Sequence, residues 1–107
     1  MIANTPEAPY YAVIFTSIRR NNDMGYEFTA EKMVILAQQQ RGFLGVESAR
    51  NNLGITVSYW KTLEDIKNWK NVTEHKIAQE NGKEIWYDSY KVRICKIERD
   101  YDFTFKQ

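Results

Sequence analysis

The chain has 107 residues, a size for one domain with no room for a second. Apolar residues make up 43% and charged residues 27%, and three Trp, seven Tyr and five Phe exclude a disordered chain. The net charge of +1, with Lys and Arg scattered among Asp and Glu, leaves no basic stripe and excludes nucleic acid as an expected partner.

Residues 1–9 (MIANTPEAP) are polar, and Pro6 and Pro9 discourage regular structure, so a flexible N-terminal arm is expected there. The segment lacks the basic-then-apolar order of an export signal. No stretch approaches the roughly 18 consecutive apolar residues that span a bilayer, so no membrane association is expected and the cytoplasm is the expected setting. A single folded domain then covers 10–107.

Tyr10 to Arg19 (YYAVIFTSIR) is rich in β-branched and aromatic residues and reads as a strand. NNDMG at 21–25 breaks it. Thr29 offers a helix N-cap, and Met33, Val34, Leu36 and Ala37 give an apolar face to a helix over 30–40. Gly42 stands where a helix C-terminal glycine belongs. Phe43 to Ala49 and Gly54 to Trp60 read as a strand pair joined at Asn51-Asn52, a turn signal. Thr62 opens a second helix with a run like a capping box, Asp65 replacing the usual Glu or Gln. Its buried side is expected from Leu63, Ile66, Trp69, Val72, Thr73 and Ile77, and its end at Asn81-Gly82. The last strand is expected over Tyr90 to Ile97. The order β-α-β-β-α-β is that of an α+β, ferredoxin-like fold: a four-stranded antiparallel sheet with two helices on one face.

Two helices cover one face of such a sheet, and a strand with one wet face should alternate apolar with polar residues. The first strand does not. One parity carries Tyr11, Val13 and Phe15, the other Ala12, Ile14 and Ile18. The third strand carries Ile55, Val57 and Tyr59 on one side and Thr56, Ser58 and Trp60 on the other. The face away from the helices is therefore expected to be an apolar patch covered by the same face of a second copy, a homodimer. Tyr and Thr merely tolerated at the surface are the alternative.

The segment VSYWKTLEDIKNWKNVTEHKIAQENGKEIWYDSYKV resembles the antibiotic biosynthesis monooxygenase family of dimeric α/β-barrel proteins. The matching features are the strand ending Tyr59-Trp60, the helix with Trp69 and then His75, and Trp86-Tyr87-x-x-Tyr90 before the last strand. QQRGFLGVESAR at 39–50 resembles that family's passage from helix to strand, and the likeness spans about residues 10–99. The resemblance implies a homodimer in which each sheet and its helices enclose a cavity. It also implies oxidation of a small aromatic or quinol-like molecule by molecular oxygen, with no metal, flavin or other cofactor. A related haem-degrading branch has a tryptophan on the second helix, an asparagine on the first strand and a histidine about three turns after the tryptophan. Here the tryptophan is Trp69, the first strand has no asparagine, and the tenth residue after Trp69 is Gln79. Two alternatives to the oxygenase stay open: a non-catalytic ligand-binding or stress-related dimer on the same scaffold, and a haem-binding or haem-degrading protein. Fold alone does not choose between them.

The candidate chemistry rests on few residues. His75 is the one histidine, with the intrinsic acidity of a general base; the competing role is a structural hydrogen bond. Trp60, Trp69 and Trp86 are candidates to line a flat aromatic pocket, or to be core of a small domain. Tyr90, like Tyr59 and Tyr87, is a phenol able to donate to a substrate oxygen or to hold a sheet end. Arg50 beside the turn could steer an anion or simply be solvated. Cys95, the single cysteine, excludes an internal disulfide and is expected to act as a small apolar residue in the last strand. No metal site is expected, since no second His or Cys lies at ligand spacing.

Overall fold

A computed structural model describes residues 1–20, 26–79 and 87–106, with backbone alone for 26–30 and 77–79. The elements are β1 (Tyr10–Arg19), α1 (Tyr26–Gln38), β2 (Phe43–Arg50), β3 (Gly54–Trp60), α2 (Leu63–Gln79) and β4 (Tyr87–Ile97). The strands form one sheet in the order β2-β3-β1-β4, with every pairing antiparallel. Element order and strand order together match the ferredoxin-like expectation.

The boundaries shift where local signals compete. α1 spans Tyr26–Gln38, so Thr29 lies inside the helix and is not its N-cap. The expected break at 21–25 and the helix end at Asn81-Gly82 lie outside the described residues. β4 starts three residues earlier than expected, because Tyr87 pairs with Arg19 across a bulge that the alternation pattern cannot show. α2 starts as its sequence suggests: the Thr62 hydroxyl oxygen accepts the Asp65 backbone N–H at 3.0 Å. Asp65 does not complete the reciprocal box. Its carboxylate accepts instead from the Thr62 hydroxyl at 2.8 Å, because an aspartate arm is shorter than a glutamate's. Leu63, expected on the buried side of α2, is exposed, while Ile66 is buried. The first turn of a helix overhangs what the helix packs on. Among the described residues no helix is long and apolar enough to cross a membrane.

Register sorts the side chains by face. Tyr11, Val13, Phe15 and Ser17 share a side with Trp60, Ser58 and Thr56 and with Val92 and Ile94. Trp69 of α2 stacks on Trp60 with ring centroids 5.7 Å apart, so α2 covers this Trp60 face. Ala12, Ile14, Ile18, Ile55, Val57 and Tyr59 occupy the opposite Tyr59 face.

The turn before β2 and the turn after β3 lock together. α1 ends at Gln38, so Gly42 is not the helix C-terminal glycine its position suggests; it lies in the turn that the Phe43 N–H closes on the Gln40 carbonyl, with φ +81°, and its own carbonyl accepts the Lys61 N–H at 2.8 Å. A Cβ on Gly42 would sit 1.9 Å from an Asp65 carboxylate oxygen.

The N-terminal arm, expected from its prolines to lack regular structure, forms no helix or strand and bonds to the sheet. The Ala3 N–H donates to Glu47 at 2.8 Å and the Thr5 hydroxyl donates to the Tyr10 hydroxyl at 2.9 Å. Tyr10 in turn donates to Asp100, and Tyr59 donates to Glu47 at 2.7 Å. The arm thus covers the Tyr10 end of the Tyr59 face, where Gly45 lets Ala3 lie close. Proline removes donors from the arm but leaves these polar groups free to bond to the sheet.

Two predictions follow from these contacts. Gly42→Ala meets both left-handed strain and the displaced Asp65 cap, so it should cost about 2–3 kcal/mol. Thermal unfolding should show a melting temperature lower by roughly 10 °C or more. The second concerns pH. The hydrogen bond from Tyr59, then that from Ala3, holds the Glu47 carboxyl below its ordinary range, while burial and then the Glu47 bond push Tyr59 up to about 12. A lowered carboxyl pKa stabilises the fold above the unfolded value of about 4.3 and is lost as pH falls through the folded value. A raised phenol pKa contributes below about pH 10 and is lost as pH rises toward the folded value. Urea unfolding of the native chain and of Glu47→Gln should therefore differ at pH 6–9 and converge below about pH 4.

Candidate functional site

The Trp60 face carries two aromatic clusters at opposite ends. At one end Trp60 is fully buried, with Phe43 edge-on at 5.5 Å and Trp69 stacked at 5.7 Å. Its indole N–H donates to the Ser58 hydroxyl at 2.9 Å, so the ring is fixed in place and its polar atom is satisfied. At the other end Phe15, Tyr87 and Tyr90 form a triangle with ring centroids 5.2–5.6 Å apart. The two ends are marked on β1 by Tyr11, opposite Trp60, and Ser17, opposite Tyr90. Six residue steps along β1 separate these two marks, about 20 Å.

Between the clusters lies an apolar strip. Val92 and Ile94 of β4 stand on the Trp60 face beside Phe15 and Val13, yet both are exposed. α2 packs against β3, on the other side of β1 from Val92 and Ile94. Neighbouring strands bring Thr56 and Ser58 to the same strip. The described strands place no carboxylate and no imidazole there.

Arg50 supplies charge at the Tyr90 end. It ends β2 opposite Gly54, and its guanidinium donates to the hydroxyl of buried Ser17. Gly54 is what lets it lie there, since a Cβ would come within 2.1 Å of the guanidinium carbon. Arg50 is therefore not a solvated turn residue. It is a cation held on the sheet near the Phe15–Tyr87–Tyr90 triangle.

The sequence-derived candidates are thus divided. Trp60 and Trp69 come together, with Trp60 as buried floor and Trp69 as its partly exposed cover. Tyr90 belongs to the other cluster. Trp86 lies outside the described residues. His75 is exposed, and six residues of helix turn it roughly 120° from Trp69 about the α2 axis. The structure thus separates His75 from the aromatic face. Tyr59 is spent on Glu47 on the opposite face, and Cys95 stands there too, paired with Ala12 and partly buried. Phe15, Ser17 and Arg50 are the site residues that motif reading underweights. The available signal was parity: counting back by twos from Trp60 reaches Gly54, a glycine facing an arginine across a hairpin. Among the described residues no group of three His, Cys, Asp or Glu side chains converges to hold a metal ion.

Comparison with known proteins places this geometry. The chain is 54% identical over 100 residues to the uncharacterised protein YqjZ of Bacillus subtilis, covering 92% of this chain and 88% of that one. No family model matches the chain. Among solved structures, the Pseudomonas aeruginosa protein PA3566 superposes with a TM-score of 0.66 at 17% identity, covering 90% of this chain and 99% of the other. The Nitrosomonas europaea protein NE2512, of unknown function, superposes with a TM-score of 0.66 at 9% identity, covering 95% and 100%. At those identities the likeness concerns the fold.

Gly54→Ala isolates the arginine. The three atoms nearest the alanine Cβ all belong to the flexible end of Arg50, so stability should change by less than about 1 kcal/mol. The guanidinium should leave Ser17, visible as a displaced Arg50 side chain in a crystal structure of the variant with the sheet otherwise unchanged.

Proposed function

We propose, for a chain that belongs to the family of the Bacillus subtilis protein YqjZ, that it is a cofactor-independent monooxygenase acting on a small aromatic or quinol-like molecule. The observation that carries this reading is the uncovered apolar strip of Val92 and Ile94, with an aromatic cluster at each end and Arg50 beside one of them. Such a surface suits a flat, largely apolar ligand with one anionic oxygen. Aromatic walls supply contact area at low conformational cost, and a guanidinium favours the ionised form of a phenol or enol beside it.

The anion is the reactive species. It is electron-rich enough to pass an electron to molecular oxygen, and the resulting pair recombines as a hydroperoxide at the ring carbon. Loss of water then leaves a carbonyl: one oxygen atom enters the product, and the other departs as water with two hydrogens from the substrate. No external reductant is consumed. In this reading Trp69 and Tyr90 hold the ring, Trp60 backs Trp69, and Arg50 stabilises the anion. His75, exposed on α2, takes no part.

The same reading makes the protein a cytoplasmic homodimer in the manner of an α/β barrel, its two sheets packed through their Tyr59 faces. The support is the pair of exposed isoleucines on that face, Ile18 and Ile55, bordered on β4 by Lys91 and Arg93. A second functional reading, ligand binding without turnover, is favoured by one observation: the described strands place no proton-accepting carboxylate or imidazole along the strip.

Oxygen uptake with hydroxylated anthrone or quinol substrates separates the two. The oxygenase reading expects uptake above the uncatalysed rate, with Arg50→Gln lowering kcat/KM by about 10- to 100-fold, or roughly 1.4–2.8 kcal/mol in barrier. His75→Ala should stay within about twofold of the native chain. Quenching of tryptophan fluorescence by the same compounds with no oxygen uptake would leave binding alone.

A further inference from the structure

The last described segment is built for contact, yet touches little. Residues 98–106 lie outside every helix and strand. Tyr101, Phe103 and Phe105 are 97%, 86% and 74% exposed, and they alternate with Asp102, Thr104 and Lys106. Spacing of i, i+2 and i+4 places three rings along one side of an extended chain. Rings of this size bury about 150–250 Å² each when packed, so one tail holds roughly 450–750 Å² of unused contact surface.

The whole chain shows the same surplus. It exposes 8282 Å², whereas a compact monomer of 12.7 kDa exposes roughly 6,200 Å². Its radius of gyration is 14.7 Å, against about 13 Å for a compact domain of this length. An excess on the order of 2,000 Å² per chain exceeds the roughly 800 Å² per partner of a standard stable interface. A surplus of that size is enough to build an interface with a second chain. Two features say where the tail goes. Asp100, at its root, is held by Tyr10 on the Tyr59 face. The Tyr10 end of that face is already occupied by the chain's own N-terminal arm through Ala3 and Thr5. The tail's own docking ground is taken, while Ile18 and Ile55 stay exposed at the far end of the same face, with half-buried Ile14 beside them and Lys91 and Arg93 along the β4 edge.

We propose that residues 101–106 form an exchanged arm, which crosses to a second copy of this chain and lays Tyr101, Phe103 and Phe105 over that copy's Ile14, Ile18 and Ile55. A two-fold axis lying across the strands brings the root of each tail over the far end of the partner's sheet, so both arms are used and the contact closes. This rests on the homodimer proposed above and adds the tail as the element that holds it.

The test uses the full chain, a chain truncated after Asp100, and two Cys95→Ser chains, one with Phe103→Cys and one with Ile18→Cys. Sedimentation equilibrium should show a dimer for the full chain and a dimer dissociation constant at least tenfold higher for the truncated one, with far-ultraviolet circular dichroism unchanged. Mild oxidation of the two cysteine chains mixed should give a disulfide between chains. A full chain that is monomeric overturns the arm and the homodimer together. A truncated chain that dimerises as tightly as the full one overturns the arm and leaves the homodimer standing. Should truncation prevent folding, the cross-link decides. A disulfide between the mixed chains supports the arm. Its absence overturns it.

Discussion

Trp60 joins parts of the chain that are far apart in sequence. It closes β3, faces Tyr11 of β1 across one ladder and Phe43 of β2 across the other, and carries Trp69 of α2 on its ring. The residue that follows it donates to the carbonyl of Gly42, in the turn between α1 and β2. Both helix-to-strand transitions are therefore fixed at one point. Few described apolar side chains are fully buried, and Trp60 is the largest of them. A chain with so small a closed core leans heavily on this junction.

The Tyr59 face depends on hydrogen bonds where the Trp60 face depends on packing. Tyr10 and Tyr59 meet edge to face at 5.9 Å, and their hydroxyls reach Asp100 and Glu47. Both phenols are raised in pKa, chiefly by burial, so at neutral pH they are held as donors to carboxylates. The arrangement fastens the first residues of the chain and the residues after β4 to the same end of the sheet. What lies beyond Asp100 departs from a fixed origin, and what precedes Tyr10 acts as a cover.

Much of the fold was legible because its signals are periodic. β1 and β3 were readable to the residue from their β-branched and aromatic runs, and the antiparallel order followed from element order. The start of α1 was not, because Thr29 is an attractive cap by residue type and only tertiary context shows the helix already running. Trp60 and Trp69 were both candidates, with Trp86, for an aromatic pocket or core, but their stacking on each other was not readable from the sequence. Nor was the remoteness of Tyr90 from that pair, since it depends on register along β1, which no single-strand pattern contains. His75 drew attention by chemistry alone, and helical geometry then turns it away from the aromatic face. Arg50 was undervalued for the opposite reason: its position near a turn suggested solvent, while the opening that holds it is made by an absent side chain at Gly54.

β1 ties these observations together. It is paired on both edges, and its alternation serves two surfaces: Val13, Phe15 and Ser17 line the aromatic strip, while Ala12, Ile14 and Ile18 line the opposite face. A strand that is apolar on both parities is ordinarily one buried on both sides. Here α2 covers part of one side and the N-terminal arm part of the other, and each cover stops short of Val92 and Ile94 on the first and of Ile18 and Ile55 on the second. The two uncovered areas lie back to back across a single layer of backbone, and this shared strand constrains both. A change in twist or register that improved packing on one would move every β1 side chain on the other, because a slip of one residue exchanges the two faces. The bulge between Ile18 and Arg19 falls where that constraint ends. Beyond it the pairing is free to bring Tyr87 against Phe15 without disturbing the register that sets both faces.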